Sequence, residues 1–432
     1  MAGSELSPMR DVTSGGSASI VDSLLDTDFY KFLMCQVVCR HHPDVEVTFE
    51  LVNRTRSVRL ADEIPEADLR DQLDRTGALR FTTEELDLLG TLESAPGRSR
   101  FTPDFLASLR RLRLPPYHLA TRDGQFVLTF SGPWPAVMLW EVPALAILME
   151  LRSRVVERGM SAAERAQVRR VATERLEGKL ARLARLPGLA VSDFGTRRRH
   201  SREWQEHAVL RARDKLGPAF TGTSNVLLAI RHGLDPIGTN AHELPMVYAA
   251  LAESDAELVV SPYRVLADWE AMYGEPLRVM LPDTFGTSGF LGRAPSWVAR
   301  WTGIRIDSGD PVAIADLAIG WWRRQGEDPA AKRVIFSDGL DVDDIETLHR
   351  RYAGSVRVGF GWGTLLTNDY RGLAARDALA PLSLVCKAVA ANGRSTVKLS
   401  DNPDKVLGPH AEVARYRRVF GALQRWPDNH SV

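Results

Sequence analysis

The sequence is short of the features that mark whole classes of protein. Three cysteines in 432 residues (Cys35, Cys39 and Cys386) cannot build a disulfide framework. Cys35 and Cys39 stand one helical turn apart with no matching Cys/His pair, so no metal site is expected there. That usage fits a reducing, cytoplasmic setting. Neither sign of charge is in excess: Lys plus Arg and Asp plus Glu number 55 each, which argues against a general nucleic-acid binder. A local basic pocket is still allowed. No apolar run reads as long enough to span a bilayer, because PAVMLWEVPALAILMEL is interrupted by Glu141, by prolines and by Glu150. No membrane association is therefore expected. The opening residues, 1–19, lack the apolar region of a signal peptide and read as a disordered tail. Repeats, heptads and low-complexity tracts are otherwise missing.

What is present suits a globular enzyme. The chain is 44% hydrophobic and 25% charged, with length for two or three domains. In LLDTDFYKFLMCQVVCRHH, Asp26 or Thr27 is placed to cap an apolar helix. VEVTFELVNR then alternates like a strand. Helical patterns follow over 66–79, 83–92 and 102–112, and YHLATRDGQFVLTF reads as a hairpin turning at Asp123-Gly124. Strands and helices without strict βα alternation imply an α+β domain. Two long helices, 133–154 and 162–186, lead out of it.

After Pro187 the pattern becomes regular. Short apolar strands (LAVSDFG, DPIGTNAH, LRVMLPDTFG, GIRIDSGDP, RVIFSDGL and VRVGFGWGT) alternate with helices. Repeated βα units imply parallel strands with right-handed crossovers. The strand ends carry Gly, Asp, Arg, Thr or His, and a barrel gathers such ends on one rim. The expected fold is α/β: an irregular α/β barrel over 151–379, and an α+β domain built from 20–150 with 380–432. The closing LSLVCKAVAANGRSTVKLS reads as a hairpin returning to the first domain.

The motifs lie at these strand ends. In GIRIDSGDP, Arg305 and Asp307 share a strand face, and Pro311 opens an amphipathic helix that Asp310 could simply cap. In DFGTRRR, three arginines suit phosphate or carboxylate, and Phe194 could stack on a flat ring or sit in the core. Gly222-Thr223-Ser224-Asn225 precedes an apolar helix, where capping is the simpler reading and anion binding the alternative. His242, between Asn240 and Glu243, is placed as a nucleophile or base, although a lone histidine is often structural. Ser337-Asp338-Gly339 and Gly359-Phe360-Gly361-Trp362-Gly363-Thr364 end the last two strands, where glycines can expose backbone N–H groups to phosphate or serve only tight turns.

The ordered set resembles nicotinate phosphoribosyltransferase. It comprises Thr27-Asp28-Phe29-Tyr30-Lys31, DFGTRRR with Ser201-Arg202, GTSN, GTNAHE, Asp283-Thr284, RIDSGDP, SDG and GFGWGT, and spans roughly 24–409. The resemblance implies synthesis of nicotinate mononucleotide and pyrophosphate from nicotinate and phosphoribosyl pyrophosphate, in NAD salvage. It also implies coupling to ATP hydrolysis, Mg²⁺, classification as a C–N bond-forming ligase, and a homodimer with shared active sites. His242 then matches the histidine that ATP phosphorylates, and Asp283 and Asp307 match acids that orient it. Phe194 matches the ring stacking on the pyridine, with Arg197 beside it and Tyr30 offered by the other subunit. Arg305 and Asp310 match ribose-phosphate contacts. Asp338, Gly339, Gly361 and Gly363 match phosphate-binding turns, with Trp362 making the last turn bulkier than a plain Gly-Ser-Gly. Arg54 and Lys398 match basic residues near the pyrophosphate.

Ser224 bears on substrate choice. Related nicotinamide enzymes carry an Asp there to accept from the amide, and that carboxylate would repel nicotinate, whereas serine can donate. Three rivals are separable. A nicotinamide phosphoribosyltransferase is disfavoured by Ser224. A catalytically dead scaffold is disfavoured by His242, the DSGDP carboxylates and the glycine turns. A Schiff-base aldolase would need a lysine at a barrel strand end, and no barrel strand ends in one.

Overall fold

The computed structural model describes residues 18–95 and 98–421. The tail expected over 1–19 falls almost wholly outside them. Two sheets organise the chain. An antiparallel sheet runs in the order Arg394–Ser395, Leu384–Ala391, Glu46–Asn53, Gln125–Pro133, Tyr117–Arg122. Its hairpin turns at Asp123 (φ 51°) and Gly124 (φ 72°), the two positive-φ positions that a two-residue turn needs. Strand Glu46–Asn53 alternates burial along its length and takes Leu384–Ala391, from the far end of the chain, as its antiparallel neighbour. Both chain ends therefore build this α+β unit.

A parallel sheet supplies the second unit, in the order Phe220–Thr223, Val191–Asp193, Arg357–Trp362, Arg333–Phe336, Gly303–Ile306, Val279–Met280. A single parallel bridge, Thr223 to Pro236, extends it by one segment. Gly303 is required here: a Cβ would meet the Arg333 carbonyl oxygen at 2.6 Å. The result is a barrel-like α/β unit sharing one hydrophobic core with the α+β unit.

Several details differ from the sequence pattern. DPIGTNAH makes only the Pro236 bridge and is otherwise irregular, while FTGT, too short and polar to read as a strand, is one. Neither Asp26 nor Thr27 caps the first helix. It is Phe29–His41, with Asp28 at the N-cap position making no side-chain cap bond. The helical stretch Trp134–Arg158 is long and apolar enough to cross a membrane, contrary to the reading that its polar residues break it; 89% of its most apolar window is buried within the fold as a core helix. Capping of Ala162–Leu183 follows a full capping box, with Ser161 and Glu164 bonded reciprocally.

Candidate active site

His242 lies at the start of helix Glu243–Ala250, on the irregular segment after Pro236. It is almost fully buried. Its Nδ1 is 3.0 Å from Thr284 Oγ1, and its Nε2 is 2.9 Å from Asp307 Oδ2 and 3.0 Å from Lys398 Nζ. Asp283 Oδ1 stands 3.6 Å from Nδ1, and Ser308 Oγ donates to Asp283 Oδ2 at 2.6 Å. Nε2 thus faces an acceptor and a donor. The Thr284 hydroxyl, which can both give and take a proton, matches Nδ1 in either tautomer. Burial lowers the imidazole pKa to about 4; Asp283 and Asp307 oppose that shift and Lys398 adds to it. The ring is neutral at physiological pH. Burial alone would raise the Asp307 carboxyl, but its bond to His242 and the charges of Arg305 and Lys398 hold it well below the usual range.

Around this ring the strand ends close into a rim. Ser337 Oγ donates to Asp307 Oδ1 at 2.8 Å, and Lys405 Nζ reaches the Asp307 carbonyl (3.1 Å) and Asp338 Oδ1 (2.6 Å). Arg305 donates to the Asn240 carbonyl at 2.7 Å, bracing the loop that carries His242. Asp310 caps helix Pro311–Arg324 through the N–H groups of Val312 and Ala313, so one of its oxygens is committed to the helix. Gly339 has φ 61° on the exposed turn beside Asp338. Burial lowers the Arg54 guanidinium pKa, with Asp338 opposing. Burial, then Arg197 and Arg54, push Arg198 down to about 10. Arg54, Arg197 and Arg198 therefore gather at the mouth with Asp307 and Asp338, a basic patch suited to a polyanion.

The opposite wall is aromatic. Phe194 is half-buried against the last strand. A Cβ on Gly361 would sit 3.2 Å from Phe194 Cδ2, and one on Gly363 would sit 3.2 Å from the Phe194 carbonyl oxygen. Both glycines make room for this residue, whatever their N–H groups contact. Arg197 lies over the Tyr30 ring, 5.9 Å from its centroid, and 3.5 Å from both Asp28 and Glu141. Ser224 Oγ donates to Asp28 Oδ1 at 2.7 Å.

Within the chain, Tyr30 packs on Arg197, because Phe29 N bonds the Ser224 carbonyl and Asp28 bridges to Asn225. Two placements correct the sequence reading. Ser224 does not cap the following helix; Asn225 does, through Leu228 N. The arginine run is not a single anion site, since Arg199 is fully buried in a two-point ion pair with Asp26 (2.7 Å each).

Sequence reasoning passed over Lys405 and gave no role to Ser308, Ser337, Thr284 or Asp28. It also passed over a buried ionic cluster beneath the site. Lys31 Nζ contacts Glu141 (2.6 Å) and Glu243 (2.5 Å), Trp134 Nε1 donates to Glu243 (2.6 Å), and Lys387 lies 3.6 Å from Glu141. The signal was legible: Lys31 and Glu141 each interrupt an apolar run, in FYKFLM and MLWEVPALAIL. Among the described residues, no group of three or more His, Cys, Asp or Glu side chains forms a metal cage. The donors at the mouth are scattered carboxylates, Asp338 being exposed. That suits a Mg²⁺ held chiefly by phosphate oxygens rather than by the protein alone.

Comparison with known proteins agrees with this architecture. Residues 189–423 match the nicotinate phosphoribosyltransferase (NAPRTase) family, and residues 25–149 match the N-terminal domain of the same family. The crystal structure of nicotinate phosphoribosyltransferase from Vibrio cholerae is 31% identical, with a TM-score of 0.82 and 94% of each chain covered. That of the Porphyromonas gingivalis protein is 29% identical (TM-score 0.81; 93% of this chain and all of that one covered). A putative nicotinate phosphoribosyltransferase from Saccharomyces cerevisiae is also 29% identical (TM-score 0.81; 94% and 99%). With both of its halves matched and its fold shared over 93–94% of its length, the chain belongs to the nicotinate phosphoribosyltransferase family.

Proposed function

We propose that this chain joins nicotinate to phosphoribosyl pyrophosphate, releasing pyrophosphate and nicotinate mononucleotide, with ATP hydrolysis coupled through a phosphate carried on His242. The observation that carries the reading is the environment of His242. A neutral, buried imidazole flanked by two carboxylates and a lysine has a free nitrogen lone pair at any pH above about 5. Attack of that nitrogen on the γ-phosphorus forms an N–P bond as the P–O bond to ADP breaks. Asp307 then has to leave Nε2, and Lys398 remains as the cation beside the new phosphate. Water later cleaves the N–P bond and restores the ring.

The glycosyl transfer uses the rest of the rim. Phe194 and Tyr30 hold a flat pyridine, and Arg197 meets its carboxylate. The pyridine nitrogen attacks the anomeric carbon as the C–O bond to pyrophosphate breaks. Positive charge develops on the ribose and negative charge on the leaving group, where Arg54, Arg198, Lys398 and Lys405 supply fixed cations. Arg305, Asp310, Asp338, Gly339, Gly361 and Gly363 line the ribose-phosphate side. Mg²⁺ bound with the phosphates, with Asp338 as the carboxylate that would help hold it, would add charge neutralisation. The functional unit in this reading is a homodimer with shared active sites, as the family resemblance implies. A cytoplasmic setting fits the three free thiols.

The test is product formation from labelled nicotinate, phosphoribosyl pyrophosphate and Mg²⁺, with and without ATP, for wild type and His242→Ala. Nucleotide formation stimulated by ATP in wild type alone is expected. Formation indifferent to ATP would remove the phosphohistidine and leave the transferase; no product from nicotinate, but product from nicotinamide, would overturn the substrate assignment.

A further inference from the structure

Asp28 is an unusual group to find beside a site for an anionic substrate. It is fully buried. Oδ1 accepts from Ser224, while among the described residues Oδ2 makes no well-formed hydrogen bond and lies 3.5 Å from Arg197 Nε. The buried Tyr30 hydroxyl, on the same turn, faces that carboxylate, also without a well-formed hydrogen bond among the described residues. Two unsatisfied buried polar atoms beside one guanidinium make an incomplete constellation, a costly arrangement unless a ligand completes it.

Resting on the reading of Arg197 and Tyr30 as the pyridine pocket, we infer that Asp28 is a specificity residue that takes up a proton when nicotinate binds and then donates it to the substrate carboxylate. The argument is one of charge. The connected cluster holds three cations (Lys31, Lys387, Arg197) and three carboxylates (Asp28, Glu141, Glu243). Bringing a fourth carboxylate into this buried cluster leaves an uncompensated negative charge. Asp28 is the member placed to cancel it. Its free Oδ2 adjoins the arginine that the substrate would engage, whereas Glu141 and Glu243 are both held by Lys31. Burial raises the Asp28 carboxyl, with Glu141 adding to the shift and Arg197, Ser224 and the Tyr30 hydroxyl opposing it. The other ionisable groups packed near it are Tyr30, which burial raises further from titration, and Asp193 on the adjacent strand end, pushed up to about 6 by burial. Ser224 fits this scheme, since it serves either protonation state of Asp28 as donor or acceptor.

The scheme predicts a pH signature that a merely structural Asp28 lacks. Nicotinate stays ionised from about pH 6 to about pH 9, and His242 is neutral throughout. Calorimetric titration of the full-length protein with nicotinate in buffers of different ionisation enthalpy should show proton uptake rising toward one per site as pH increases. Nicotinate affinity should fall about tenfold per pH unit at the alkaline end. Asp28→Asn, whose amide donates without titrating, should lose both the uptake and the alkaline fall, and bind nicotinate more tightly than wild type at the highest pH. Wild-type binding with no proton exchange across the whole range would overturn the inference while leaving the function standing. An Asp28→Asn pH profile parallel to wild type would overturn it equally. Failure of nicotinate to bind at any pH would overturn the functional reading and this inference with it.

Discussion

The His242 site makes a quantitative prediction about Lys398. Its ammonium lies 3.0 Å from Nε2 and is one of the groups that keep the ring neutral. Two unit charges about 3–4 Å apart, at an effective dielectric near 20, repel by about 4–5 kcal/mol. Lys398→Met removes that repulsion, and water entering the shortened side chain's space offsets roughly half of it. A net change of about 2 kcal/mol corresponds to about 1.5 pKa units. The ring should then titrate near pH 5.5 rather than about 4. Phosphate incorporation from labelled ATP should weaken about fourfold at pH 5 relative to wild type, beyond any loss common to all pH values, because the neutral fraction falls from about nine-tenths to about one quarter. Direct titration of the imidazole by nitrogen NMR gives the same midpoint independently. The stability signature has a definite sign. In the unfolded chain the ring protonates near pH 6.5, and in the native wild type not until about 4, so the unfolded state binds more protons between those values. Stability is therefore fully present above about pH 6.5 and declines as pH falls, by up to about 3 kcal/mol from this group. The variant should show a smaller decline. An imidazole midpoint unchanged within about 0.3 unit would refute the electrostatic account of this site.

Three further outcomes follow from the geometry. Ser224→Asp sets a second carboxylate against Asp28, whose Oδ1 lies 2.7 Å from Ser224 Oγ with both residues fully buried, so nicotinate turnover should drop selectively; unchanged preference for nicotinate over nicotinamide in competition assays would count against the assignment. Asp26→Asn removes the two-point partner of the fully buried Arg199 guanidinium, leaving Glu150 at 3.9 Å as its nearest counter-charge, and should cost about 3 kcal/mol, read as a drop in the urea midpoint; a loss under about 1 kcal/mol would mean the pair is not anchoring this segment. Gly361→Ala pushes a methyl to 3.2 Å from Phe194 Cδ2, so the ring must tilt by a few tenths of an ångström. The nicotinate KM should rise several-fold with little change in Tm; an unaltered KM would place Phe194 away from the pyridine.

Much of this is legible in the sequence because the βα rhythm after Pro187 is strong and the chemistry sits where strands end. What escaped notice did so for physical reasons. FTGT is too short and polar to announce a strand, and its pairing is imposed by Val191–Asp193 beside it. DPIGTNAH has strand-like composition, but it lies at the sheet's edge and bonds its neighbour at one point. The arginine run reads as one anion site along the sequence, yet successive side chains leave the turn in different directions: Arg197 to the pocket, Arg198 to the Leu384 carbonyl, Arg199 to Asp26. Asp26 could have been taken for a cap because capping is local; its actual partner lies 173 positions away, and no local rule anticipates that.

The buried ionic cluster explains why the two halves of the site belong to one folding unit. Lys31 follows Tyr30 in the first helix, Glu141 opens the core helix, Lys387 comes from the returning strand, Arg197 from the turn after a parallel strand, and Glu243 directly follows His242. No pair of these segments can satisfy the cluster alone: Lys31 needs both glutamates, and Glu141 needs Lys31, Lys387 and Arg197 to lie where burial would otherwise forbid a carboxylate. Buried charges are poor sources of net stability, since desolvation consumes most of the attraction. They are good at penalising incomplete assembly, because any missing partner leaves a charge stranded. Here the penalty falls on arrangements in which the aromatic wall (Tyr30, Arg197) and the histidine loop (Glu243, His242) are not simultaneously in place. The pyridine pocket and His242 therefore hang from a common ionic hub. The geometry that lines up one substrate is built only together with the geometry that holds the imidazole.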